Sequence, residues 1–127
     1  MSAPFGQDAQ VFCPGPYTYQ PLGCAQIVAT STASTFKTLL TTAATASPAT
    51  SLISDVPTGA RLAVMTIDST NVRWMDDGQN PTTAIGLLMI ATTATLFPAP
   101  YQYSGNLADI KFIAASGSPL INVAFYK

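Results

Sequence analysis

NVRWMDDGQNPTTAIG, residues 71–86, combines strand periodicity with a compact turn and so carries the fold class. Val72 and Trp74 alternate with Asn71, Arg73 and Met75 at period two, as in a half-buried strand with one face on a core. The run stops at Asp76-Asp77-Gly78, residue types that tolerate the positive φ of tight hairpin turns. Pro81 lacks the N–H that a ladder needs and rules out regular pairing there. A second apolar run, Ala84 to Ala91, restarts the sheet, so the block reads as strand, turn and strand.

Composition carries that reading to the whole chain. Its 127 residues fit one domain, long enough to bury roughly two thirds of the unfolded surface. Only 9% of residues are charged, and Glu and His are absent, so the polar surface is made of Thr, Ser, Asn and Gln. Thr favours pleated sheet, and the lack of Glu and scarcity of Lys remove the best surface helix formers. Short candidate strands follow at Ala25–Ser31, Thr35–Leu40, Arg61–Asp68, Asn71–Met75, Ile85–Ala91, Ala94–Phe97, Leu107–Ala115 and Leu120–Tyr126. The expectation is an all-β, single-domain, two-sheet antiparallel β-sandwich over residues 25–127.

Within that frame, Arg61–Asp68 reads as a central strand covered on both sides, because Leu62 and Val64 share one face and Ala63, Met65 and Ile67 the other. Ser116-Gly117-Ser118 reads as the loop of an antiparallel hairpin joining the last two strands. Thr41–Ser54, rich in Ala and Thr with Pro48 inside it, fits a helical turn or a long exposed loop, and the loop is favoured. Residues 1–24 hold Pro4, Pro14, Pro16 and Pro21 among Phe5, Phe12, Tyr17 and Tyr19, a composition that resists helix. They are expected to form an extended arm lying on the domain or on a neighbouring subunit, with those four aromatic residues as the partner-binding set; an irregular first strand and loop packed on its own domain is the equal alternative.

Chemistry is bounded by missing parts. Without His there is no Ser-His-Asp or Cys-His arrangement, and no usual general base near neutral pH. Asp76 and Asp77 suggest a carboxylate pair or, with Asn80, a calcium loop; adjacent in a turn and matching no calcium-loop spacing, they read as a hairpin tip. No catalytic, cofactor or metal site is therefore expected. Arg73 is expected to fork onto Asp76, Asp77 or Asp109, and Trp74 to anchor the core, with Gly78 completing the turn. Cys13 and Cys24 read as free thiols in a chain without a recognisable export signal. Five basic residues spread along the chain cannot neutralise a run of phosphates, so nucleic acid is not an expected partner. Nor is a membrane, since Thr38–Ser54 is broken by polar residues and Pro48. A net charge of −1 with few charged gatekeepers on strand edges predicts instead a protein that assembles.

VRWMDDGQNPTTAIG, followed by YSGNLADIKFIAASGSPLINVAFY, resembles a recurring C-terminal pattern of small virion proteins of tailed bacteriophages. Its elements are an Arg-Trp strand, an Asp-Asp-Gly turn, Pro-Thr, a late Gly-x-Leu-x-x-Ile-x-Phe-Ile strand and a final Asn-Val-x-x-Tyr strand, together covering about Pro57 to Tyr126. The N-terminal half shares no such pattern. The resemblance implies a capsid decoration or cement protein with a jelly-roll-like sandwich. It also implies a homo-oligomer, dimer or trimer, that binds the major capsid protein on the virion exterior after assembly in the bacterial host cytoplasm. A glycan-binding module of a tail or fibre, stacking sugars on Tyr101, Tyr103 and Tyr126, is the alternative.

Overall fold

A computed structural model describes residues 19–127. Over the described residues the chain is mostly β, with two antiparallel four-stranded sheets and one helix. In chain order the elements are β1 (Pro21–Val28), β2 (Ser34–Thr35), α1 (Phe36–Thr45), β3 (Leu62–Asp68), β4 (Val72–Met75), β5 (Leu87–Met89), β6 (Tyr101–Tyr103), β7 (Lys111–Ala114) and β8 (Leu120–Tyr126). The first sheet runs β1-β8-β3-β6 and the second β2-β7-β4-β5. Both contribute to one core, an arrangement compatible with a sandwich: Ile27, Met65, Ile67, Ile121, Val123 and Phe125 from the first meet Val72, Met89 and Phe112 from the second.

Alternation sets which side chains reach that core. On β3, Ala63, Met65 and Ile67 are buried; on β8, Ile121, Val123 and Phe125 are. The opposite faces of both strands stay half-exposed, so β3 is central in its sheet but covered on one side only among the described residues. At the centre, Phe36 lies edge-on to Phe112, with ring centroids 4.8 Å apart, and to Phe125, at 5.2 Å.

Phe36 is also where strand expectation fails. Thr35–Leu40 is not a strand and residues 41–45 are not loop; Phe36–Thr45 is a helix. Thr35 caps it by accepting from the Thr38 N–H, and Phe36, Leu39, Leu40 and Ala43 are buried at the i, i+3, i+4, i+7 spacing of one helix face. Its threonines form poor helix in isolation, but burial of that face overrides propensity. Thr42 and Thr45 direct their hydroxyls to the carbonyls of Thr38 and Thr41, holding the polar side against its own backbone.

Three further expectations are corrected. The last two strands form no hairpin: β7 belongs to the second sheet and β8 to the first, so residues 115–119 cross between sheets. Residues 94–97 form no strand; Thr93 N–H to Leu96 carbonyl, 2.8 Å, closes a turn there instead. Residues 21–24, read as part of the arm, begin β1, where Gly23 marks a bulge against β8.

Candidate interface site

The deciding block, residues 71–86, is a closed structure. Its strand, β4, pairs with β5 as read, Val72 opposite Met89 and Trp74 opposite Leu87. The connection is a loop over residues 76–86 rather than a tight hairpin. Arg73 holds that loop, but not through a carboxylate: Nε donates to the Thr83 carbonyl at 3.1 Å and Nη1 to the Gly86 carbonyl at 2.9 Å. Backbone carbonyls curling back over β4 lie where the guanidinium reaches, and the expected pairing with Asp76, Asp77 or Asp109 is replaced by these bonds. Gly86 is required for the close approach. Its φ is +131°, and a Cβ there would meet the Trp74 carbonyl oxygen and the Cβ of buried Pro81 at 3.2 Å.

The Asp pair and its neighbours are each engaged separately. Asp77 Oδ1 accepts from the Gln79 N–H at 3.0 Å around Gly78, whose φ is +86°. Asn80 Oδ1 accepts from Lys111 Nζ at 2.9 Å. Asp76 Oδ2 accepts from the Tyr103 hydroxyl at 2.7 Å, and that hydroxyl accepts from the Asn106 N–H at 2.7 Å. Because Tyr103 is on β6 and Asp76 follows β4, this clasp joins the two sheets. Burial, reinforced by the Asp76 carboxylate, pushes the Tyr103 phenol up to about 12, against the opposing pull of the Asn106 N–H. Gly105 leaves room for it, since a Cβ there would overlap the hydroxyl. Trp74 packs edge-on to Tyr103 at 5.5 Å and is half-buried at the margin of the core, not its central anchor.

Beside this closed block the surface opens. Among the described residues β5 is the edge of its sheet, with β4 as its one neighbour. Met89 enters the core, while Leu87, 61% exposed, and Leu88 do not, and Ile85 and Ile90 flank them in solvent. The loop from residue 90 to 101 is tied at its base by the Ile90 N–H on the Tyr101 hydroxyl, 2.8 Å, and attached to the end of β3 by the Thr92 N–H on the Ile67 carbonyl, 2.7 Å. The Thr93 hydroxyl accepts from the Leu96 N–H at 3.0 Å. This pinned loop holds Leu96 and Phe97 outward, Phe97 at 75% exposure. A shallow depression lined by Trp74, Met75, Asp76, Asp77, Gly86 and Leu87 adjoins the edge. Natural edges usually carry Lys, charge or a cover; here no charged residue occurs between Asp77 and Asp109. That uncharged run marks this surface and places the scarcity of edge charges on one strand and its flanking loop.

The other named residues fall elsewhere. Phe5, Phe12, Tyr17 and Cys13 lie outside the described residues. Tyr19 is exposed and edge-on to Tyr126, with centroids 6.4 Å apart. Tyr101 and Tyr103 do not form an open stacking platform with Tyr126, since their hydroxyls hold backbone N–H groups and both rings are half-buried. Cys24 is a free, exposed thiol. Among the described residues no cluster of three or more His, Cys, Asp or Glu could hold a metal ion, and no helix is long and apolar enough to cross a membrane. No protein-family model, curated protein or solved structure matches the chain.

Proposed function

We propose that this chain is a structural protein of a tailed-bacteriophage virion, a head decoration or cement protein that docks on the capsid exterior through its β5 edge and bridges major capsid subunits. The observation that carries the reading is that uncharged apolar edge, with Ile85, Leu87, Leu88, Ile90, Leu96 and Phe97 exposed together on one stretch of chain. A site of this kind suits docking, because burying it removes apolar surface from water without stranding a charge. Each exposed Leu or Phe fully covered contributes about 1.5–3 kcal/mol.

Strand pairing supports the virion class from a second direction. β1 pairs with β8, β2 with β7, β3 with β6 and β4 with β5. That nesting is what one long hairpin produces when it wraps into the eight-stranded jelly roll used by viral capsid and lectin domains. Together with the motif resemblance, it favours a shell protein whose weak individual contacts are multiplied by many equivalent sites, as a homodimer or homotrimer on the lattice. Lectin use of the same architecture is less favoured, because two of the three tyrosines it would employ hold the fold.

Co-sedimentation with purified expanded capsids tests the reading. The protein is expected to pellet with capsids and a Leu87→Asp, Phe97→Asp variant to remain in the supernatant. Binding to a glycan array without capsid affinity would assign the protein to the tail or fibre instead.

A further inference from the structure

Hydrogen-bond alternation along the second sheet fixes which backbone groups of β5 face its open side. The Ala115 N–H donates to the Asn71 carbonyl at 2.9 Å, so the backbone of Asn71 is turned to β7, and in the same register so are those of Arg73 and Met75. Val72 and Trp74 are therefore turned the other way, to Met89 and Leu87 of β5. Between those two, Leu88 directs its N–H and carbonyl away from β4, to the side where β5 has no neighbour among the described residues. The groups flanking it are engaged: the Ile90 N–H donates to the Tyr101 hydroxyl at 2.8 Å, and the Gly86 carbonyl accepts from Arg73 Nη1 at 2.9 Å. The edge thus offers the paired bonds of one residue, enough for a short extended segment and not for a long strand.

The two faces beside that pair of bonds differ in chemistry. By alternation Leu88 and Ile90 share one face, and both are exposed. Leu87 shares the other with its cross-strand partner Trp74, and these two line the depression that Asp76 and Asp77 also line. Each carboxylate keeps one oxygen without a hydrogen bond among the described residues: Oδ1 of Asp76, whose Oδ2 holds Tyr103, and Oδ2 of Asp77, whose Oδ1 holds the Gln79 N–H. The cations of this sheet are turned elsewhere, Arg73 to the Thr83 and Gly86 carbonyls and Lys111 to Asn80. An indole and a leucine beside two carboxylates complement the apolar stem and cationic head of a Lys or Arg side chain. A second copy of β5 is a poorer occupant. No Lys or Arg occurs from Gly78 to Ala108, so two β5 edges set together would bring no cation to Asp76 and Asp77.

We propose that the β5 edge binds an extended segment of a partner protein by strand addition, paired at Leu88, with an apolar side chain against Leu88 and Ile90 and the next residue, a Lys or Arg, over Trp74 against Asp76 and Asp77. Strand addition of this kind rests on the reading of β5 as the docking edge and adds the chemistry of what docks. Two backbone bonds and one charged contact make a weak single site, which suits a partner that presents many copies. Trp74 is the only Trp of the chain, so its fluorescence reports on the depression directly. The probe is the peptide acetyl-Thr-Val-Lys-Val-Thr-amide, titrated into the full-length protein to about 10 mM, in the range of weak contacts. A saturating change in Trp74 emission is expected, with a Kd about tenfold higher for the peptide carrying Glu in place of Lys and for one whose valine nitrogens are methylated and cannot pair. The Asp76→Asn, Asp77→Asn variant keeps oxygens that accept from Tyr103 and Gln79, and is expected to bind the Lys peptide as weakly as the parent binds the Glu peptide. No response to the Lys peptide, or equal affinity for it and either control peptide, would overturn the proposal. Co-sedimentation with expanded capsids tells that failure from failure of the docking reading. Capsid binding abolished by Leu87→Asp yet untouched by Asp76→Asn, Asp77→Asn would keep the edge and overturn the basic contact, whereas peptide binding without capsid affinity would keep the strand addition and remove the shell as partner.

Discussion

β1 and β5, each an outer strand of its own sheet, meet solvent in opposite ways. β1 is eight residues long and its free side is clipped by the chain itself: the Gln26 N–H donates to the Thr50 carbonyl at 3.1 Å, the Thr50 hydroxyl returns to the Gln26 carbonyl at 2.9 Å, and Ala25 bridges Ser51. β5 is three residues long, carries no clip among the described residues, and is flanked by exposed Ile85, Ile90, Leu96 and Phe97. A long edge left open is an aggregation site, whereas a short apolar edge beside a pinned loop limits what can add to it. One edge is closed by the chain itself and the other is open among the described residues.

The largest effect that sharpens this contrast lies in the shared core. Phe112→Ala is expected to destabilise the fold by about 3–5 kcal/mol in urea denaturation, since Phe112 is fully buried against Phe36. Leu87→Asp on the open edge is expected to change stability by less than about 0.5 kcal/mol. A large loss from Leu87→Asp would make β5 part of the closed structure and break the comparison.

Gly86→Ala comes next, because it attacks the junction between the closed block and the open edge. With φ at +131° and backbone at 3.2 Å from a new Cβ, it is expected to cost about 1–3 kcal/mol and to raise proteolysis within residues 76–86. Thr50→Val removes one bond of the β1 clip at a cost of about 1 kcal/mol, and soluble yield on concentration measures whether the bared edge associates.

The smallest effect is seen at high pH. Tyr103 is held neutral in the folded state to about 12 against an ordinary 10, so its contribution is fully present below pH 10 and is lost as pH rises through about 12. Tyr103→Phe, which cannot ionise, is expected to lose less stability than the parent between pH 9 and 11.5, as read by urea midpoints. Equal losses would show that the Tyr103–Asp76 clasp does not distinguish the folded state.

Much of the β architecture was legible from period-two alternation. Val72, Ala63-Met65-Ile67 and Ile121-Val123-Phe125 face the core as their spacing required. The helix is written just as openly in the spacing of Phe36, Leu39, Leu40 and Ala43, but Thr-rich composition and Pro48 argue from propensity, which burial of that face overrides. Sheet membership was not legible. Whether 115–119 turns a hairpin or crosses between layers depends on pairings far away in sequence, which local residues do not encode. The Arg73 bonds were hidden for a related reason: a guanidinium takes carbonyls as readily as carboxylates, and the fold of residues 76–86 decides which are near. The open edge does have a signal in sequence, the uncharged run from Gly78 to Ala108, which periodicity does not register.

Hydrogen–deuterium exchange of the protein alone and on expanded capsids locates the docking surface. New protection is expected in residues 84–97, with the β1 clip and the core strands unchanged. Capsid binding that leaves residues 84–97 as exchangeable as in the free protein would contradict docking through the β5 edge.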